Sequence, residues 1–90
     1  MELTNLPNIG PVLAGRLCSA GIKTAEELRK LGAEEAFRRI CRTIQPDACL
    51  HELEALAGAA AGVRKSQLPP ERKAELKRWF RNLAEEEAHV

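Results

Sequence analysis

The sequence predicts an all-α domain of five helices, and three observations carry that prediction. Almost no segment alternates with period two or gathers β-branched residues, and aromatics make up only 3% of the chain, so strands have little support. Helix starts and stops recur along the whole length, written as Pro, Thr and Gly at positions that open or close a helix. Much of the 44% hydrophobic content is alanine, which favours close-packed helices over sheet.

Pro11 suits the first position of a helix running to about Ala20, because its missing N–H would be unpaired there anyway. Gly21 then closes it in the left-handed region. Val12, Leu13, Leu17 and Ala20 line the predicted inner face, with Ala14 and Gly15 allowing close approach of a neighbour. Thr24 begins a second helix and, with Glu27 three residues on, forms a capping box. Leu28 and Leu31 are its inward positions, and Gly32 ends it. A third helix follows from about Ala33 to Arg42, with Ala36, Phe37 and Ile40 inward and Glu34 and Glu35 at the positive end of the dipole.

Pro46-Asp47 launches a fourth helix. Its apolar stripe is Cys49, Leu50, Leu53, Leu56, Ala57 and Ala60. The run Ala55 to Gly62 carries so little side chain that a neighbouring helix can approach closely. Gly58 costs about 1 kcal/mol relative to alanine there, so packing must compensate. Leu68-Pro69-Pro70 halts the chain and starts a last helix from about Pro70 to Ala84. In it Leu76, Trp79, Phe80 and Leu83 fall at i, i+3, i+4 and i+7, a single stripe. The acidic Glu85-Glu86-Glu87 opposes the negative helix end, so fraying is expected over residues 85–90.

At 90 residues the chain is read as one domain, 1–90, with its core between about residues 3 and 84. Fourteen Lys and Arg against thirteen Asp and Glu leave a net charge of +1, which excludes a strongly basic cloak for nucleic acid. No apolar stretch is long enough to span a membrane, and the first residues lack a secretory layout. Cys18, Cys41 and Cys49 are odd in number and form no CxxC pair. They read as buried, reduced thiols of a cytoplasmic protein.

The most specific string is Leu6-Pro7-Asn8-Ile9-Gly10-Pro11-Val12-Leu13-Ala14, continued by Leu17, Gly21-Ile22 and Thr24-Ala25-Glu26-Glu27-Leu28. It resembles the second half of a helix-hairpin-helix unit, apolar-Pro-Gly-Ile-Gly followed by a helix. Such a turn exposes backbone N–H groups at a helix start, where the dipole favours an anion such as phosphate. Asn8 replaces the commoner glycine and tolerates the left-handed region better than most residues.

Further along, Leu31-Gly32-Ala33-Glu34-Glu35-Ala36-Phe37, Cys49-Leu50 and Ala55-Leu56 with Gly58-Ala59 and Gly62-Val63-Arg64 extend the resemblance. Leu68-Pro69 and Arg72-Lys73 with Glu75-Leu76-Lys77 complete it. Together these residues resemble the C-terminal domain of the TfoX/Sxy family, bacterial regulators of DNA transformation competence, from about Leu3 to Leu83. The resemblance implies an all-helical, helix-hairpin-helix-like (SAM-like) fold, no enzymatic activity, and a role in switching on competence genes; no cofactor is expected. In longer members this domain follows a separate N-terminal domain.

Two clusters are candidate phosphate or DNA contacts. The first is the turn, with backbone donors around Asn8, Ile9 and Gly10 and nearby Arg16, Lys23 and Thr24; its plainer reading is a tight connection that starts a helix. The second lies between Arg64 and Arg81, where seven bases face two acids, a local charge of +5. Lys77, Arg78 and Arg81 there point away from Trp79 and Phe80 and suit a sequence-independent, salt-sensitive phosphate contact. Their plainer reading is a solvated helix face. Five residues before Leu6 are too few for the first helix of a full hairpin pair. A protein partner from the transcription machinery is therefore preferred to DNA.

A small-molecule substrate and a membrane are not expected. The Ala/Gly run serves either intramolecular packing, which is preferred, or a homodimer seam. Cys49 and His51 point about 200° apart on a helix and cannot easily share a metal. No Ser/His/Asp or Cys/His setting supports nucleophilic catalysis.

Overall fold

Glycine at position 10 leaves the chain extended, and Pro11 starts helix α1 (Pro11–Ser19) directly after it. The structure is a computed structural model and describes residues 2–44 and 48–88. The N–H of Ile22 closes α1 by donating back to the Leu17 carbonyl at 2.8 Å, and the fully buried Ile22 side chain seals that end. Thr24 caps α2 (Ala25–Leu31): its hydroxyl oxygen accepts from the Glu27 N–H at 3.1 Å. The Glu27 carboxylate accepts in turn from the Lys23 N–H, one residue before the cap. Gly32 alone separates α2 from α3 (Ala33–Thr43). Ala36, Phe37 and Ile40 of α3 are fully buried, as their spacing predicts.

Helix α4 (Leu50–Ala61) begins later than expected, with Cys49 as its N-cap. Pro46 and Asp47, expected to launch it, lie outside the described residues. It packs against α2, α3, α5 and a short 3-10 turn, Lys65–Gln67, while α3 also meets α1 and α2. Being flanked on several sides explains its composition. Not just a stripe but every residue from Leu53 to Ala59 except Glu54 is buried, and only small side chains leave room for so many neighbours. Helix α5 (Pro70–Ala88) buries Leu76 and Leu83 and lays half-buried Trp79 and Phe80 edge-on against Phe37, with ring centres 6.1 and 5.8 Å away. It continues beyond Ala84, consistent with the high helix propensity of alanine and glutamate.

One core cluster links all five helices to Leu3, Leu6 and Ile9 of the N-terminal segment, which contains a single 3-10 turn, Leu3–Asn5. The radius of gyration, 12.3 Å, is that of a well-folded chain of this length, about 12 Å. Among the described residues there is no strand.

Three expectations change. Val12 is 67% exposed rather than inward: Leu13 and Leu17 define the buried side of α1, and Val12 stands about 100° away from Leu13. Cys49 is exposed because it precedes α4 instead of lying on its stripe. The thiols as a group are not buried; Cys18 is also exposed and Cys41 is half-buried.

Candidate macromolecular interface

The turn before α1 is tied into the fold by Asn8. Its backbone is left-handed, φ +69°, a conformation asparagine tolerates. The side-chain amide donates to the carbonyls of Val63 at 3.1 Å and Ala55 at 3.4 Å, and its oxygen accepts from the Lys65 N–H at 3.1 Å. Gly62 makes this possible: at φ +77° it ends α4 and turns Val63 back, so that the Val63 N–H donates to Gly58 at 2.8 Å. The amide of Asn8 sits directly over Gly58. A Cβ added at Gly58 would lie 2.5 Å from Asn8 Nδ2 and 2.7 Å from the Val63 oxygen.

The other turn candidates are placed as follows. Ile9 is buried, and its N–H donates to the Leu6 carbonyl at 3.4 Å. Gly10 is exposed, with open space in front of it. Arg16 meets Glu52 at 2.5 Å, and the Glu52 side chain is only 9% exposed. Thr24 is engaged in its cap. The exposed Lys23 lines a shallow depression with Glu2, Leu3, Thr4, Ala14 and Cys18. The hydrogen bonds of the turn lead to α4 and to residues 63–65, and none of them leads to α5.

Lys77, Arg78 and Arg81 stand exposed on α5, and no carboxylate among the described residues pairs with them. Beside them are two features that local patterning did not reveal. Arg38 of α3 lies over the Trp79 ring, 5.6 Å from its centre. Arg72 forks onto both oxygens of Glu34, at 2.8 and 2.9 Å, and also meets Glu75. The Arg38–Trp79 and Arg72–Glu34 contacts each join α3 to α5, so no periodicity within α5 could have found them.

The Arg72 hydrogen bond holds the Glu34 carboxyl below its ordinary value of 4.5, against a smaller opposing effect of burial. A lowered carboxylate contributes stability that is present above the ordinary value and lost as pH falls through the lower, folded one. Thermal melts across the acid range check this. The Glu34→Gln variant is expected to lose about 1 kcal/mol at neutral pH, and its deficit relative to the parent should vanish as pH falls below 4.5.

Residues 1–80 match the model of the TfoX C-terminal domain. The chain belongs to that family. The TfoX C-terminal domain family is a regulatory type of domain family, not an enzyme family. It is similar to an uncharacterized protein from Listeria monocytogenes solved in a triclinic crystal form, at 44% identity and a TM-score of 0.90 over 93% of this chain and 94% of that one. It is also similar to a protein of unknown function from Listeria monocytogenes in a tetragonal form, at 46% identity and a TM-score of 0.86, covering 90% and 98% of the two chains. No curated protein matches.

For this TfoX C-terminal domain, no three His, Cys, Asp or Glu side chains among the described residues could together hold a metal ion. No helix among them is long and apolar enough to cross a membrane.

Proposed function

We propose that this TfoX C-terminal domain is a non-catalytic helical module that acts in regulating DNA transformation competence by binding a cytoplasmic protein of the transcription machinery. One observation carries the reading. The turn that would grip phosphate in a helix-hairpin-helix unit instead has its Asn8 side chain bonded to three backbone groups of its own fold. The N–H of Ile9 is bonded too, and Arg16 and Thr24 already have partners. What stays free is a helix surface. The apolar core supports a module that works through its exterior, since no buried polar or charged residue is found among the described ones.

A second reading is sequence-independent DNA binding, favoured by the unpaired Lys77, Arg78 and Arg81. A pull-down from the native cytoplasm separates the two. Specific protein capture is expected to survive nuclease treatment, while duplex DNA should bind weakly at physiological salt. Tight DNA binding whose affinity falls steeply with salt, by roughly one decade per decade of salt for each phosphate contacted, would reverse the order. Arg16 is unsuitable as a probe, because removing it takes the partner from Glu52, whose side chain is only 9% exposed.

A further inference from the structure

We infer that the exposed side of α5 between Arg72 and Ala84 docks an acidic helix of the partner protein. This rests on the protein-binding reading above and names the chemistry of the surface used.

The first ground is charge. From residue 72 to 84 α5 carries five bases and one acid, Glu75, and Arg72 holds that acid together with Glu34. Elsewhere the exposed cations without a carboxylate, Lys23, Arg64 and Lys65, are scattered, and several others have a local use. Arg16 and Arg39 meet carboxylates, and Arg29, Lys30 and Arg42 occupy the last turns of α2 and α3, where the dipole favours them. Lys77, Arg78 and Arg81 sit inside a helix that runs on to Ala88. They have neither a carboxylate among the described residues nor a helix end to answer, so their complement lies off the molecule.

The second ground is shape. Lys73, Lys77 and Arg81 recur at i, i+4 and i+8, a row whose members rise about 6 Å apart along the axis. A partner helix with glutamates at the same interval presents the matching row, and rows of this kind are what interlock when helices pack. Ala74 and Ala84 are exposed beside the row and keep its relief low.

Glu71 and Glu85, both exposed, stand towards the two ends of this side. They would repel a long polyanion such as duplex DNA, which carries a charge about every 1.7 Å of its axis. A short acidic helix fits between them.

The test is a nuclear magnetic resonance titration of the isotope-labelled chain at low salt. One alanine-based helical peptide carries three glutamates at i, i+4 and i+8; its isomer spreads the same glutamates around the helix. Expected are shifts at the residues of the row and its exposed neighbours, Lys73, Ala74, Lys77, Arg78, Arg81 and Ala84, with roughly fivefold or greater preference for the ordered peptide. The Lys77→Glu/Arg81→Glu variant, shown to be folded by circular dichroism, should lose that binding and prefer the peptide with lysines in the row. Equal binding of both isomers, shifts centred on Asn8 to Gly10, or tighter occupation of α5 by a short DNA duplex would each overturn the assignment. In the pull-down, a protein retained equally by the charge-reversed chain overturns the α5 assignment and leaves protein binding in place. Absence of any nuclease-resistant capture overturns both.

Discussion

Gly58→Ala is expected to destabilise the protein by about 2 to 3 kcal/mol, although alanine is the better helix former by about 1 kcal/mol. The new Cβ would meet Asn8 Nδ2 at 2.5 Å, the Val63 oxygen at 2.7 Å and the Lys65 nitrogen at 3.1 Å. A flexible side-chain end could swing aside at little cost. Asn8 cannot, because its amide is held from both sides, and the other two atoms are backbone. The added carbon therefore drives the turn off α4 and breaks hydrogen bonds of about 1 kcal/mol each. Gly15→Ala is the control, since nothing lies within 4 Å of its added Cβ and the site is exposed. It should stabilise by up to about 1 kcal/mol. Urea unfolding midpoints of the two variants check the pair; a shared sign would refute the close approach at Gly58.

Asn8→Ala should cost about 3 kcal/mol from two separate causes. It removes the hydrogen bonds to Val63, Ala55 and Lys65, leaving backbone groups without partners, and it places a Cβ-bearing residue at φ +69° without the local polar compensation asparagine has. Asn8→Gly loses the same bonds but relieves the backbone, so it should recover about 1 kcal/mol of the loss. Asn8→Asp keeps an acceptor for the Lys65 N–H but turns a carboxylate oxygen towards two carbonyls, and should fall well below the parent. Thermal melts rank the three. If Asn8→Ala melted like the parent while weakening DNA binding, the turn would be a phosphate site after all.

Particular residues show how far the sequence could be read. The Thr24 cap, the Gly21 and Gly32 stops and the Leu76/Leu83 stripe were legible because each depends on neighbours within about two turns. The starts of α1, α2 and α5 followed from the same local chemistry. Leu13 and Leu17 were correctly placed inside while Val12 was not, because the width of a buried stripe depends on how many elements cover it. Cys49 failed similarly: once α4 starts at Leu50 the cysteine is a cap and not part of a face.

The candidate site was harder. Asn8 was marked as unusual for tolerating a left-handed backbone, and it does adopt one. Its partners lie 47 to 57 residues away, so no local rule could tell a lock from a ligand grip. Arg16 and Arg72 are alike: Glu52 is 36 residues distant and Glu34 is 38. The α5 cluster was visible as an excess of charge, but whether acids elsewhere neutralised it depended on the packing.

By itself the sequence determined the helical class, the order of the helices and the family, because apolar periodicity, capping and turn chemistry act over a few residues. Only the tertiary structure decided which polar groups are already engaged and which remain free for a partner. Hydrogen bonds and ion pairs between distant segments form only when the folded chain brings them together, and that arrangement made the Asn8 turn an internal fastening and left Lys77, Arg78 and Arg81 facing outward.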